Sequence, residues 1–373
     1  MRHGFIFPGE VVGGHEMMAI KIMSVLKNGA KQVVIISSRS MYARLVQYIG
    51  EEFELLEAKF TTFRFESTLG YLNPAFFKNR VEAKRVVTGF DSVTVVLGGV
   101  NANHSTVLAI GSACAALGVD SRIYIPMFHF PHEMEVKALT GLSNRLSAMR
   151  VLRRINKVLT IDEFWAERVS KVARRGDLKV QVIHNFLIDK TPLMPAQAVN
   201  QDGKRLCVVG RMDKEQKGMD YLLKILQELS ASPNLPKHTW VFIGDGPHLP
   251  AIKRFAAQCQ NPNLVFEING WRSDSLVLMQ TCNALVLTSR WEGIPTVVAE
   301  ALMLKLQVFA FDIAAIDRLV APDELVPCFD TSAYASKITA YLTEGSAPTE
   351  TPRPYLRLMC DKGRFQKEAC DLY

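Results

Sequence analysis

The chain alternates short, almost wholly apolar runs with longer segments in which apolar residues recur every three or four positions. Runs at 3–7, 32–37, 93–97, 122–125, 157–161 and 180–183 are too short for helices and lack polar alternation, so they read as strands buried on both faces. Helical periodicity occupies 14–27, closed by the stop signal Asn28-Gly29, and 106–117. Residues 51–66 follow neither period and receive no assignment. Alternation of this kind is the pattern of parallel sheets covered by helices, an α/β fold.

Residues 189–203 are polar, contain proline and carry no period, which marks a linker. The alternation then resumes, with strands at 205–209, 240–243, 264–267 and 284–287 and a helix at 219–229. A second break, 345–354, precedes a last helix at 363–372. The organisation is a first Rossmann-like domain over 1–190, a second over 204–350 and one C-terminal helix over 355–373. No period of 20–50 residues repeats, which excludes a solenoid.

The 373 residues suffice for two separate cores, and 48% hydrophobic with 22% charged content is that of a globular chain. No apolar run reaches the roughly 18–20 residues that span a bilayer, and the N-terminus reads as a buried strand rather than a signal peptide. Seven dispersed cysteines without C-x-x-C spacing point to reduced thiols in a cytoplasmic setting. The net charge of +7 is uneven: residues 1–190 hold 25 Lys/Arg against 17 Asp/Glu, the remainder 19 against 20. The basic half favours an anionic partner, such as a phosphorylated glycolipid or the membrane face carrying it, or is a solvated surface. Nucleic acid is disfavoured, because no recognised motif accompanies the charge.

The most specific chemistry follows the strand at 284–287: Ser289-Arg-Trp-Glu292-Gly293-Ile294-Pro295-Thr296-Val297-Val-Ala-Glu300-Ala-Leu302. Pro295 suits the first turn of a helix, where its missing N–H costs nothing. The N–H groups of Thr296 and Val297 then point out of the helix start, at the end of a parallel strand, where a phosphate is held best. Glu292 before the helix and Glu300 within it would repel that phosphate, but they can accept hydrogen bonds from hydroxyls on either side. A diphosphate flanked by two sugars is a nucleotide-sugar. Arg211 and Lys217, in Gly210-Arg-Met-Asp-Lys-Glu-Gln-Lys-Gly218 after the strand at 205–209, can reach the same anion and neutralise a departing diphosphate without a metal.

Two glutamates with seven residues between them, Gly-x-Pro after the first and Ala-Leu after the second, resemble the donor-site signature of family 4 glycosyltransferases. The resemblance implies the GT-B architecture: two Rossmann-like domains facing a cleft, the C-terminal helix crossing back onto the first. It also implies a retaining, metal-independent hexosyltransferase that needs no cofactor beyond its nucleoside diphosphate sugar, with a UDP-sugar favoured. Arg211 and Lys217 fall where the family binds the donor diphosphate, and Gly13 and Gly14 resemble its Gly-Gly-x-Glu loop, which faces the donor. His129, in Phe128-His-Phe-Pro-His132, resembles the strand-end histidine near the anomeric centre, with His132 the alternative. Trp271 follows a strand where the family reads the base, and either stacks there or belongs to the core. Gly244-Asp-Gly-Pro247 matches a family turn, with Asp245 expected to cap the next helix. Ile183-His-Asn-Phe186 resembles the family's Pro-Asn-Gly turn but carries His184 and Phe186 instead of Pro and Gly.

The expected roles are Glu292, Arg211, Lys217 and His129 in the chemistry, and Gly13, Gly14, Trp271, Gly293, Ile294, Pro295, Thr296, Val297 and Glu300 in holding the donor. The acceptor is expected in the first domain as a glycan or glycolipid of lipopolysaccharide, O-antigen or capsule assembly. Basic and aromatic residues of that domain are expected to contact an anionic glycolipid or the inner membrane face carrying it, and the amphipathic segment near 76–87 is either interfacial or a plain core helix. Three alternatives stay open: a related GT-B epimerase or phosphorylase, a dinucleotide oxidoreductase (which would need G-x-G-x-x-G), and a non-catalytic sugar-nucleotide-binding protein.

Overall fold

A computed structural model describes residues 1–9, 12–28, 32–49, 57–63, 74–97, 104–125, 149–173, 176–187, 203–232, 234–272, 274–344 and 354–373. The chain divides into two compact units, Met1–Phe186 with Asp361–Tyr373, and Leu187–Cys360. Each is doubly wound about its own parallel sheet.

In the first unit β1 (Arg2–Phe7), β2 (Gln32–Ser37), β3 (Glu57–Phe60), β4 (Ser92–Val96), β5 (Asp120–Tyr124), β6 (Lys157–Thr160) and β7 (Lys179–Val182) form one sheet in the order 3-2-1-4-5-6-7. β1 lies between β2 and β4, the latter the central strand, with His3 in register with Val33 of β2 and Ser92 of β4. Phe5, Ile6, Val34, Ile36, Val93 and Val95 are buried, as expected of parallel strands covered on both faces. The covering helices include α1 (Gly14–Asn28), α2 (Arg39–Ile49), α3 (Pro74–Val87), α4 (His104–Leu117) and α5 (Glu163–Ala173). β3 lies in the stretch that the hydrophobic pattern leaves unassigned. As an edge strand, Glu-Ala-Lys-Phe has no need of a continuous apolar run.

The second unit holds β8 (Lys204–Val209), α6 (Met219–Ser230), β9 (His238–Ile243), α7 (Leu249–Gln258), β10 (Leu264–Ile268), α8 (Ser275–Met279), β11 (Ala284–Leu287), α9 (Thr296–Met303), β12 (Gln307–Ala310), α10 (Thr331–Glu344) and α11 (Pro354–Cys360). The sheet order is 10-9-8-11-12, so the strand order reverses between β8 and β11. Buried Tyr334 of α10 donates to the carbonyl of Phe309 at 2.6 Å, tying that helix to the sheet. β12 follows α9 after three residues, and only the single polar residues Glu300, Lys305 and Gln307 interrupt the apolar stretch through both, so periodicity alone does not separate them.

The C-terminal segment 355–373 is two helices. α11 belongs to the second unit and ends at Cys360; α12 (Lys362–Leu372) belongs to the first and packs on α1. Asp361 breaks the helix between them by capping α12, its carboxylate accepting the Arg364 N–H at 2.9 Å. Phe365 stacks on Phe186 at 4.9 Å, and Glu368 accepts from the N–H of His184 at 3.0 Å and pairs with its ring at 3.0 Å. His184 and Phe186 are the two departures from the Pro-Asn-Gly turn, and both dock α12. No helix among the described residues is long and apolar enough to cross a membrane. The linker at 189–202 and the break at 345–353 lie outside the described residues.

Candidate active site

The order reversal between β8 and β11 leaves a crevice beyond their C-terminal ends, the place where doubly wound sheets hold ligands. Two loops rise from it, Gly210–Gly218 into α6 and Thr288–Pro295 into α9. They meet at one ion pair: Lys217 Nζ donates to Glu292 Oε1 at 2.6 Å, and Ser289 Oγ donates to the same oxygen at 2.6 Å. The Glu292 side chain is 6% exposed and that of Lys217 17%. The two residues, widely separated in sequence, therefore form one charged unit.

Each loop is held by its own backbone requirements. Gly218 sits at φ +63°, and a Cβ there would lie 2.1 Å from the Thr288 carbonyl oxygen. The two loops cross where only glycine fits. Thr288 Oγ1 donates to the Lys217 carbonyl at 3.0 Å, closing the crossing. Beneath the first loop runs the Gly244–Gly246 turn: a Cβ on Gly244 would meet the Gly210 carbonyl at 1.9 Å, and the Asp245 carbonyl accepts the Met212 N–H at 2.9 Å. Asp245 does not cap α7 as its position suggests. Its carboxylate turns onto the Gly246 N–H at 2.7 Å, and the N-cap is His248.

Arg211 is half-exposed, its Nε on Asp213 at 2.5 Å and its Nη2 on Gln216 at 3.0 Å. Burial alone would raise the Asp213 carboxyl; the N–H of Gln216, the Arg211 guanidinium and the N–H of Lys217 outweigh it and hold the group below the ordinary carboxylate range. Arg290 fastens the second loop to the start of α6. Its guanidinium forms two 2.8 Å bonds to Asp220, lies 4.1 Å from the Tyr221 ring centroid and donates to the Lys214 carbonyl. Asp220 too is drawn below the usual range, its burial outweighed by that guanidinium.

α9 begins at Thr296, with Pro295 as its N-cap rather than its first residue. No side chain caps this end, and the first helical N–H groups, Thr296 and Val297 among them, have no intrahelical acceptor. Gly293, Ile294 and Pro295 are buried behind it, and Glu300 is half-buried within it. The site thus combines an open helix N-terminus, a lysine–glutamate pair and an arginine in one crevice. Such a set suits an anion with hydroxyl groups beside it.

The remaining candidates belong to other segments of the chain. Trp271 follows β10 and is 45% exposed, so it is not a core residue. Gly13 and Gly14 belong to the first unit, between β1 and α1; the Gly13 N–H donates to Glu16 at 2.7 Å, so the acid closes the helix start from the third helical position. His129 and His132 lie outside the described residues. The sequence pattern does not single out Ser289, Asp213, Asp220 or Arg290. Arg-x-Asp followed three residues later by Gln is the one local signal, since Asp213 accepts from the N–H of Gln216.

The crevice and sheet order define a doubly wound α/β class of fold, and comparison with known proteins narrows it. Residues 203–344, which lie in the second unit, match the family model described as Glycosyl transferases group 1. A curated relative, an uncharacterised 41.2 kDa protein in the cps region of Klebsiella pneumoniae, is 24% identical over 181 residues; the match spans 46% of this chain and 47% of the relative. Among solved structures, Anabaena Alr3699/HepE in complex with UDP-glucose superposes with a TM-score of 0.73 at 16% identity, over 100% of this chain and 99% of that one. The apo form of the lipopolysaccharide outer core galactosyltransferase WaaB does so with 0.65 at 16% identity, over 100% and 99%. Sucrose-phosphate synthase from Thermosynechococcus elongatus gives 0.72 at 14% identity, over 100% and 98%. The fold is GT-B, built of two Rossmann-like units.

Proposed function

We propose that the chain is a retaining glycosyltransferase that moves a hexose or related sugar from a nucleoside diphosphate donor, a UDP-sugar first among them, to an acceptor hydroxyl. The Lys217–Glu292 pair beside the open start of α9 carries this reading. When a diphosphate arrives, the Lys217 ammonium, the Arg211 guanidinium and the Thr296 and Val297 N–H groups supply the charge that a metal supplies elsewhere. Glu292 then exchanges part of its bond to Lys217 for sugar hydroxyls, and Glu300 holds the ribose diol.

In the reaction the bond from the anomeric carbon to the phosphate oxygen breaks, and the acceptor oxygen bonds that carbon from the same face. The acceptor proton passes to the departing phosphate. The positive charges at the crevice stabilise the diphosphate as its charge grows. The acceptor is assigned to the first unit, and the basic character of that unit suits an anionic glycolipid. A relative in a cps region and a fold shared with an outer core galactosyltransferase support a place in capsule or lipopolysaccharide assembly.

The test is UDP release from UDP-glucose, UDP-galactose and UDP-N-acetylglucosamine in the presence of extracted glycolipid, with EDTA throughout. Release that survives EDTA and is lost in Lys217→Ala, with the transferred sugar keeping its anomeric configuration by NMR, is expected. Failure in EDTA rescued by a divalent cation overturns the metal-independent step, and an inverted product overturns retention. Donor held tightly but left intact with every acceptor fraction would make the chain a binding protein instead.

A further inference from the structure

The loop Gly210–Gly218 of the second unit carries both Arg211 and Lys217, and one buried acid organises the two. Asp213 is 5% exposed. Its Oδ2 accepts from Arg211 Nε at 2.5 Å, and its Oδ1 accepts the N–H groups of Gln216 at 2.7 Å and Lys217 at 3.3 Å. The main chain of the same residue closes the loop. Its N–H donates to the Arg211 carbonyl at 3.0 Å, and its carbonyl accepts the Met219 N–H at 3.2 Å, at the start of α6. Burial would raise the carboxyl, but the bonds from Gln216, Arg211 and Lys217 outweigh it and keep the group charged.

The half-exposed Arg211 guanidinium is held along one edge, Nε on Asp213 and Nη2 on Gln216 Oε1 at 3.0 Å. No described residue accepts from Nη1, so the Nη1–Nη2 edge is the one left to a ligand. That edge is a planar fork of N–H donors, the shape that takes two phosphate oxygens at once. Lys217 returns to the same end of the loop: a Cβ on Gly210, next to Arg211, would lie 3.8 Å from Lys217 Cε. By charge alone Asp213 works against an anion there, because an acid bonded to Arg211 lowers the positive potential that a diphosphate meets. By geometry it works in favour, because an arginine already held at one edge loses less freedom when the other edge takes a ligand. The two effects have opposite signs and can be separated.

We propose, on the reading of this crevice as a nucleoside diphosphate site, that Asp213 is a positioning residue acting through Arg211. It fixes the guanidinium in the plane in which the Nη1–Nη2 edge takes the diphosphate, and Gln216 supports the same plane from its second nitrogen. Ordering one long side chain in advance is worth about two- to twelve-fold in affinity. The acid touches neither donor nor acceptor, and its effect on the ligand disappears when Arg211 is removed.

The test is isothermal titration of the full chain with UDP, GDP and ADP in EDTA. The nucleotide that wild type holds is then carried through a double-mutant cycle of Asp213→Asn and Arg211→Ala. The amide oxygen of asparagine still accepts the Gln216 and Lys217 N–H groups, while its NH2 group cannot accept from Arg211 Nε, so the loop stays and the aim is lost. Asp213→Asn is expected to weaken binding about five-fold with Arg211 present, and to strengthen it in Arg211→Ala, where only the repulsion of the acid remains. Gln216→Ala removes no main-chain bond and reads the same coupling if Asp213→Asn lowers the melting temperature. It is expected to weaken binding about two-fold with Arg211 present and to change nothing in Arg211→Ala. Strengthening by Asp213→Asn in both backgrounds overturns the proposal and makes the acid a counter-charge only. Equal weakening in both overturns it too and makes the acid a support of the loop only. Wild type that binds no nucleoside diphosphate overturns the donor-site reading and this inference with it, whereas binding without the change of sign overturns this inference alone.

Discussion

Replacing Lys217 by methionine removes the cation from a carboxylate that is 6% exposed and leaves Glu292 with Ser289 Oγ as its remaining side-chain donor. Breaking a buried pair from one side costs about 3–5 kcal/mol, because the surviving charge keeps its desolvation penalty. Lys217 is itself 17% exposed, so water can enter after its removal, and the Ser289 bond persists; the low end, about 3 kcal/mol, is the expected loss. For a unit of this size each kcal/mol moves the melting temperature by roughly 2–4 °C, so the second unit should melt about 6–12 °C lower. Lys217→Met/Glu292→Gln removes both charges and should recover about 2 kcal/mol of that loss, because a neutral pair carries no such penalty. Differential scanning calorimetry on wild type, both single variants and the double variant completes the cycle. A melt of Lys217→Met within about 2 °C of wild type, or a double variant whose loss equals the sum of the singles, would refute the claim that these residues form one buried charged unit.

Other perturbations follow from the same geometry. Gly218→Ala places a methyl group 2.1 Å from the Thr288 carbonyl at a positive φ, so the loops must separate; it should cost about 3 kcal/mol or more in urea unfolding and abolish donor binding. Arg290→Ala leaves Asp220 without its guanidinium and should lose about 2 kcal/mol, with Arg290→Lys restoring little because the two-bond fork is lost; denaturant midpoints decide. His184 loses some affinity for its proton through burial, but the bonds to Glu368 and Glu163 outweigh this and raise its pKa above the ordinary value. Its contribution is therefore full below the ordinary histidine range and is lost as pH rises through the raised value. Amide exchange over residues 362–372 should accelerate from pH 6 to pH 9, after correction for intrinsic rates, and His184→Gln should flatten that difference. Identical protection in the two proteins at both pH values would refute it.

Much of the second unit is legible in the chain because its strands are buried on both faces and its turns are glycine-marked. Val208-Val209-Gly210 and Leu285-Val286-Leu287 announce strand ends, and Pro295 announces a helix start. What periodicity cannot show is which side chains turn toward each other across the crevice. Lys217 and Glu292 were legible as separate donor contacts, yet their mutual bond depends on the crossing at Gly218 and Thr288, which is a tertiary fact. Arg290 reads as a surface cation until Asp220 and Tyr221 are brought beneath it. Asp245 follows local capping rules on paper, but the Gly246 N–H is nearer than the start of α7. In the first unit β3 escaped notice because an edge strand needs no apolar pattern, and the division of the C-terminal segment at Asp361 rests on one capping bond.

The central claim is that the crevice between β8 and β11 holds a nucleoside diphosphate sugar by its own cations and helix N-terminus. Isothermal titration of UDP-, GDP- and ADP-sugars in EDTA, against wild type, Lys217→Ala and Glu300→Ala, tests it most directly. The account predicts that one base class binds wild type in EDTA and that both substitutions weaken it by at least about ten-fold, the loss of one charge-assisted hydrogen bond. Binding that appears only with a divalent cation, or that is unchanged in Lys217→Ala, would contradict it.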